Sequence, residues 1–265
     1  MKQIQKRLIQ QYVDGAFQQI EDQVVIEHPL TLIVNGKELM TVVCSPEHIE
    51  ELAIGFLISE RILKTVEDIT YIRVEENGTF IHIEANRVFP FFEQMNHKRY
   101  ISSCCGMSRQ GFVFANDVLT AKKMTHQHIS LQPEDCFKLM NALEKEAEIF
   151  QSTGGVHNAA LCDPNGVVIS RMDIGRHNAL DKIYGYCLKN NIPVHNKIVA
   201  FSGRISSEIL LKVAKIGCEI ILSKSAPTEM ALTLAEELGI TTVGFIRGNR
   251  FNVYTHPERI VRQTT

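Results

Sequence analysis

The sequence predicts an α/β protein: a mainly parallel sheet covered by helices in the last third, preceded by a smaller α+β portion. In the last third, strand-like and helical runs alternate across short connections, from residue 159 to residue 246. In the first third, two Asn-Gly pairs separate runs of apolar residues, which is typical of β-hairpins. We therefore predict an N-terminal α+β portion over 1–100, a connecting loop over 101–130 and a C-terminal α/β domain over 131–265.

Composition limits the class of protein. The chain has 265 residues, enough for one large domain or two modest ones. Its 28 Lys and Arg nearly balance its 30 Asp and Glu, and no long basic run occurs, so nucleic acid is not the expected partner. The N-terminus is polar, and no apolar stretch reaches the length of a membrane span. We expect a cytoplasmic protein that does not contact the membrane.

The N-terminal elements follow from turn and cap residues. Strands at 30–34 and 37–43 flank Asn35-Gly36, and strands at 71–75 and 80–84 flank Asn77-Gly78. Between the hairpins, Ser45-Pro46-Glu47 predicts a helix start, with a capping serine, a proline in the first turn and an early acid. Apolar residues then recur with helical spacing from residue 49 to residue 57.

The last third is predicted to contain five strands. A helix over 133–150 leads into it. The strands are at 159–162, 167–172, 198–201, 219–222 and 241–246, and the helices between them are at 178–189, 207–216 and 229–238.

Polar residues follow the predicted strands of this last third at their carboxyl ends. Open α/β sheets bind their ligands beyond these ends. Glycines and hydroxyls at helix starts, with a guanidinium beside several strands, suit an anionic ligand that carries phosphate. A single arginine is more often a surface charge, so the interpretation depends on their recurrence at one edge. The arginines are Arg176, Arg204, Arg247 and Arg250.

Two of the seven cysteines are adjacent, Cys104 and Cys105, in a run of small polar residues that predicts a loop. The other five lie in or beside apolar runs and are predicted to be buried thiols. Arg99 and Arg109 are near in sequence, and cations lower a thiol pKa; the thiolate is the nucleophile that would accept sulfur as a persulfide. An incidental pair of small loop residues is the alternative, and the residues alone leave both open.

Two histidines are candidates for the same site. His157 follows Thr153-Gly154-Gly155 and could be a general acid/base or a metal ligand, although a lone histidine is more often structural or a substrate contact. His177 has Asp181 four residues on, which would place both on one helix face. That spacing is also what an ordinary helix start looks like.

Eight stretches in series resemble the FdhD family of formate dehydrogenase accessory sulfurtransferases, from residue 29 to residue 257. Each is weak alone, and the ordered series is highly specific. They are PLTLIVNG at 29–36, ELAIGFL at 51–57, SSCCG at 102–106, TGGVHNAA at 153–160, DIGRHNALDK at 173–182, SGRISSE at 202–208, SAPT at 225–228 and GFIRGNRFNVYTHP at 244–257.

The resemblance implies a sulfur carrier. Such proteins take sulfur from a cysteine desulfurase as a persulfide, on the residue that matches Cys104. They pass it to the molybdenum of a bound bis(molybdopterin guanine dinucleotide) cofactor before the cofactor enters formate dehydrogenase. The resemblance also implies a homodimer, with a C-terminal three-layer α/β/α part similar to the cytidine deaminase fold. The predicted cofactor contacts are Phe245, Ile246, Arg247, Gly248, Asn249 and Arg250, joined by Arg176, Arg204, His157 and His177.

The sequence departs from the family at one position. Many members have Cys-x-x-Cys in the sulfur loop, whereas Met107 stands three residues after Cys104 here. The neighbouring Cys105 cannot readily close the same low-strain disulfide, because disulfide geometry restricts adjacent cysteines. We therefore expect Cys104 to be the single carrier.

Two other functions are alternatives to a sulfur carrier. A zinc deaminase needs His-x-Glu and Pro-Cys-x-x-Cys, but Ala159 stands two residues after His157 and the chain has no Cys-x-x-Cys. We therefore expect no protein-ligated metal. The second alternative is a chaperone that holds the molybdenum cofactor without moving sulfur. Such a chaperone would need the same arginines at the sheet edge, so the sequence does not distinguish it well from a sulfur carrier.

Overall fold

The computed structural model describes residues 1–89, the backbone of 100–101, and residues 121–125 and 129–261. It begins with a two-stranded antiparallel hairpin, β1 (Ile4–Val13) and β2 (Ala16–Val25), paired along its whole length. The sequence analysis did not predict this hairpin, although Asp14-Gly15 is a strong turn signal and both residues adopt positive φ. Its far end exposes Leu8, Tyr12 and Phe17.

The N-terminal sheet contains both predicted hairpins. Its strands are β3 (His28–Val34), β4 (Lys37–Cys44), β5 (Ile69–Val74), β6 (Phe80–Ala85) and β7 (Tyr100–Ile101), in the order β5-β6-β3-β4-β7. The turns at Asn35-Gly36 and Asn77-Gly78 are confirmed. Asn35 does more than turn the chain, because its side-chain amide exchanges two hydrogen bonds with the backbone of Ala85.

Helix α1 (Ile49–Ser59) packs on this sheet, but its predicted start is wrong. The residue before the helix is His48, in the left-handed region at φ 54°, with no side-chain cap. Ser45 is used elsewhere: its backbone N–H donates to Asp173 Oδ2 (3.0 Å) and its hydroxyl accepts from the N–H of Ile174 (3.1 Å). Ser45 therefore makes a tertiary contact with the 173–174 segment and does not form the α1 cap that the local sequence had predicted.

The C-terminal sheet has six strands in the order β13-β12-β11-β10-β8-β9. The prediction of a mainly parallel sheet is wrong, since only two of the five neighbouring strand pairs of this sheet, β10–β11 and β11–β12, are parallel. The connections 164–165 and 248–249 have two residues each, too short for a crossover, so each closes a hairpin. The strands are β8 (His157–Asp163), β9 (Gly166–Asp173), β10 (Ile198–Phe201), β11 (Ile220–Ser223), β12 (Thr241–Arg247) and β13 (Arg250–Thr255).

Helices cover both faces of this sheet, which confirms the three-layer α/β/α arrangement. Alternate residues of β8 separate the faces: Ala159 packs toward the helices Arg176–Lys189, Ser207–Ile216 and Glu229–Leu238, and Ala160 packs toward the helix Pro133–Lys145. The predicted helix over 133–150 is two helices, because the buried Ala147 leaves helical geometry at ψ 51°. The helices are α2 (Pro133–Lys145), α3 (Glu148–Thr153), α4 (Arg176–Lys189), α5 (Ser207–Ile216) and α6 (Glu229–Leu238).

Helices α1 and α4 cross in direct backbone contact. A Cβ built on Gly55 would lie 1.9 Å from the carbonyl oxygen of Asp181, and one on Gly185 would lie 1.8 Å from that of Glu51. Beside the crossing, Arg171 donates two hydrogen bonds to the Glu51 carboxylate (2.6 and 2.9 Å). The contact joins the first 100 residues to the C-terminal sheet, and the predicted domain boundaries themselves stay a prediction.

Candidate functional site

Strand register brings the predicted site segments to one edge of the C-terminal sheet. Phe201, the last residue of β10, pairs with Ala159, and His157 pairs with Asp173 at the end of β9. The start of β8 therefore lies beside the carboxyl ends of β9 and β10, and those of β11 and β12 follow across the sheet. We call this the polar edge; it comprises 157–158, 173–177, 202–204, 223–228 and 245–250.

Serine hydroxyls form hydrogen bonds that connect the loops of the polar edge to one another. Ser202 Oγ accepts from the N–H of Asn158 (2.9 Å), and Ser225 Oγ donates to the carbonyl of Ser202 (3.1 Å). Ser223 Oγ donates to the carbonyl of Gly203 (2.8 Å) and accepts from the N–H of Ser225 (2.9 Å). These three hydroxyls are therefore part of the scaffold that holds the loops in place.

The β12–β13 connection presents an aromatic ring and a guanidinium together. Phe245 adopts φ 54°, which is unusual for an aromatic residue, at a bulge where the ladder register shifts. Its ring is partly exposed, with the guanidinium carbon of Arg247 5.8 Å from the ring centre. Arg247 Nε also donates to the carbonyl of Lys224 (3.1 Å). Strained residues of this kind concentrate at functional sites.

The remaining residues of the family stretch divide into two groups. Gly248, Asn249 and Arg250 are exposed in the turn. Ile246 is 2% exposed and packs in the core beside α2, so its side chain cannot contact a ligand and only its backbone lies at the edge.

The arginines of the polar edge have no acidic partner within the part of the chain that the structure describes. No carboxylate in the described part of the chain pairs with Arg176, Arg204, Arg247 or Arg250. The side-chain atoms Asn158 Oδ1 and Arg176 Nε are buried with no hydrogen-bond partner among the described residues. Leaving such a group unpaired costs about 1–3 kcal/mol, so these atoms indicate a missing polar partner at the edge.

Both candidate histidines lie at this edge. Burial, and then the Arg176 charge, lower the pKa of His157, so its imidazole is neutral near pH 7. His177 Nε2 lies 3.1 Å from Glu208 Oε2, close enough for an ion pair although the geometry makes no hydrogen bond. Asp181 is not its partner, because that carboxylate binds Lys212 (2.6 Å) and Ser59. Burial raises the pKa of Asp181, and Lys212 opposes this rise.

A buried ion pair supports the loop that carries Arg176 and His177. Lys182 Nζ lies 2.6 Å from Asp173 Oδ2, and both side chains are fully buried. The same carboxylate accepts from Ser45 N–H, from Gly175 N–H (2.8 Å) and from Asn178 Nδ2 (2.9 Å). The ion pair between Asp173 and Lys182, which joins the end of β9 to α4, was not predicted from the sequence.

The five cysteines that the structure describes are all buried and free, as predicted. Burial raises the pKa of Cys44, Cys136 and Cys162 to about 12 and that of Cys187 to about 11, and it raises that of Cys218 further. None of the five is therefore a thiolate near neutral pH. Cys104 and Cys105 lie outside the described residues.

The described residues contain neither a metal-binding cluster nor a helix that could span a membrane. Within 1–89, 121–125 and 129–261, no group of three or more His, Cys, Asp or Glu is arranged to hold a metal ion. The absence of a protein-ligated metal in the whole chain stays a prediction. No helix of the described residues is long and apolar enough to span a membrane.

The fold and the polar edge define an α/β protein with a cationic edge beside a buried charge network. The FdhD/NarQ family matches residues 25–261, and the chain belongs to this family.

Curated relatives and a solved structure agree with this assignment. "Sulfur carrier protein FdhD" of Shouchella clausii is 54% identical over 255 residues, covering 96% of both chains. The protein of the same name from Bacillus subtilis is 51% identical over 254 residues, again covering 96% of each. A crystal structure from Desulfotalea psychrophila, assigned as a formate dehydrogenase accessory protein, has a TM-score of 0.79 at 25% identity, covering 98% of this chain and 100% of that one.

Proposed function

We propose that this protein carries sulfur as a persulfide on Cys104 for the maturation of formate dehydrogenase. A cysteine desulfurase donates the sulfur: the Cys104 thiolate attacks the outer sulfur of the donor's persulfide, and the donor's thiolate leaves. A molybdenum cofactor bound at the polar edge would be the acceptor of this sulfur. The observation that carries the proposal is that the five described cysteines are buried with raised pKa values, which leaves Cys104 and Cys105 as the remaining candidates.

The direction of β7 supports a carrier next to the polar edge. β7 runs parallel to β4, with Ile101 beside Val42, and β4 leads directly to Ser45, which contacts Asp173 at that edge. An extended residue spans at most about 3.6 Å, so Cys104 lies within roughly 11 Å of Ile101. β7 therefore points toward the polar edge, and Cys104 follows its last residue by three positions in the sequence.

The chemistry of the edge suits a guanine dinucleotide cofactor. Arg247 and Arg250 offer charge-assisted hydrogen bonds to phosphate, and Phe245 offers an apolar face to a purine. Gly248, at φ 57°, has nothing within 4 Å of an added Cβ, so the backbone there is open to close approach. We also propose, following the family, that the protein acts in the cytoplasm as a homodimer.

The sulfur-carrier prediction is tested on the isolated protein. After incubation with a desulfurase and cysteine, intact mass should show one added sulfur that a reductant removes. Cys104→Ala should prevent the addition and abolish activity of the partner dehydrogenase, whereas Cys105→Ala, the matched control, should do less. Full maturation by the Cys104→Ala variant would exclude this residue as carrier and favour the non-catalytic chaperone.

The cofactor prediction uses GDP as a fragment of the dinucleotide. GDP should bind more tightly than guanosine, and Arg247→Ala or Arg250→Ala should weaken it by about 1.5–3 kcal/mol, since each loses a charge-assisted hydrogen bond. The dissociation constant should rise roughly ten- to a hundredfold in calorimetry at fixed salt. Arg73→Ala, an exposed arginine of β5, is the control. Unchanged GDP affinity in both Arg247→Ala and Arg250→Ala would show that the nucleotide does not bind at these arginines.

A further inference from the structure

Lys224 is a cation of the polar edge that the family stretch does not include. It directly follows β11, and its side chain is 35% exposed. Its ammonium forms an ion pair with Glu144 in the last turn of α2. The carbonyl of Glu144 accepts a hydrogen bond from the side-chain amide of Gln151 (2.6 Å), which ties the end of α2 to α3.

Lys224 lies next to the arginine that we assign to the cofactor. Arg247 Nε donates to the carbonyl oxygen of Lys224, so the guanidinium is fixed against the lysine backbone. Partial burial, and then the Arg247 charge, lower the pKa of Lys224. Two cations and one carboxylate thus occupy the same part of the edge, and one positive charge is left without an acidic partner among the described residues.

We propose that Lys224 and Arg247 together bind a phosphate group of the nucleotide, and that Glu144 is the counter-ion which this phosphate replaces. Arg247 supplies planar donors and Lys224 a point charge, a combination that suits a diphosphate. Glu144 neutralises Lys224 while the edge is empty and competes with the ligand for it. The inference deepens the proposed function, because it assigns a further specificity-determining pair to the same cofactor edge.

The competition gives the two variants opposite effects on GDP binding. Lys224→Met should raise the dissociation constant about tenfold, as loss of one charge-assisted contact implies. Glu144→Gln should lower it about two- to fivefold, since exposed ion pairs of this kind are weak. In the Lys224→Met background, Glu144→Gln should have no effect, because the group for which it competes is gone.

The controls separate a specific contact from a change in general charge. Lys189 Nζ and Glu50 Oε1 form an ion pair, 2.9 Å apart, that lies far from the polar edge. Lys189→Met and Glu50→Gln should therefore leave GDP affinity unchanged. Guanosine, which has no phosphate, should bind equally to all variants. Thermal unfolding should be unchanged by Lys224→Met, so that lost binding cannot be attributed to lost fold.

The outcomes distinguish this inference from the proposed function. If GDP binding falls in Arg247→Ala but not in Lys224→Met, the lysine is a surface charge and the inference is wrong while the cofactor edge stands. If Glu144→Gln weakens GDP binding, the carboxylate positions Lys224 and does not compete. If GDP fails to bind the unaltered protein, both this inference and the proposed cofactor edge are wrong.

Discussion

Gly185→Ala is expected to destabilise the protein by at least about 3 kcal/mol. The added methyl would lie 1.8 Å from the carbonyl oxygen of Glu51, a backbone atom that can move only if α1 and α4 separate. Overpacking typically costs about 1–3 kcal/mol even where side chains can adjust. The better helix propensity of alanine, about 1 kcal/mol, offsets only part of this. Gly55→Ala should behave similarly, since its methyl would meet Asp181 O at 1.9 Å.

Denaturant unfolding measures the effect, with Gly154→Ala as the control. Gly154 ends α3 at φ 64° and has nothing within 4 Å of an added Cβ, so its substitution reports backbone strain alone. We expect about 1–2 kcal/mol there. An unfolding midpoint for Gly185→Ala equal to that of the unaltered protein would show that the helices do not cross in backbone contact.

Lys182→Met should cost about 3–5 kcal/mol, because it leaves the Asp173 carboxylate buried without its counter-charge. Asp173→Asn should be similarly severe, since it leaves the ammonium of Lys182 uncompensated. Both variants should also weaken GDP binding, since Asp173 orients the loop that presents Arg176 and His177. Combining the two substitutions should cost less than the sum of the single ones, because no unpaired charge remains.

An exposed ion pair provides the comparison for the buried one. Lys6 and Glu21 lie 2.6 Å apart on the N-terminal hairpin, with more than half of each side chain exposed. Lys6→Met should therefore leave the unfolding free energy nearly unchanged. Equal effects of Lys6→Met and Lys182→Met would contradict the structural role of the buried pair.

Local turn chemistry accounts for the parts of the fold that could be predicted from sequence. The turn at Asn35-Gly36 requires positive φ at both residues, and few residue pairs accept it. Helices α5 and α6 begin and end at the predicted residues, because apolar spacing and C-terminal glycines mark them. The polar edge was likewise predictable, since topology brings strand ends together whatever the details of pairing.

Long-range contacts account for what could not be predicted. Ser45 has the sequence context of a helix cap, but its partner is Asp173, which is 128 residues away. Sheet direction also depended on connection length: the two-residue turn at 248–249 makes β13 antiparallel, although the sequence analysis treated that segment only as part of a ligand loop. The contact of Ser45 has no local signature, whereas the short turn at 248–249 is a local signal that was not used.

The crossing of α1 and α4 has a consequence for synthesis on the ribosome. Arg171, which binds Glu51 of α1, is 120 residues further along the chain. At about 5–20 residues per second, α1 is made roughly 6 to 24 s before this partner exists. During that interval the face of α1 around Gly55 is uncovered, because the helix α4 that packs against it has not yet been synthesised. The emerging chain is therefore most vulnerable to aggregation and proteolysis midway through its own translation.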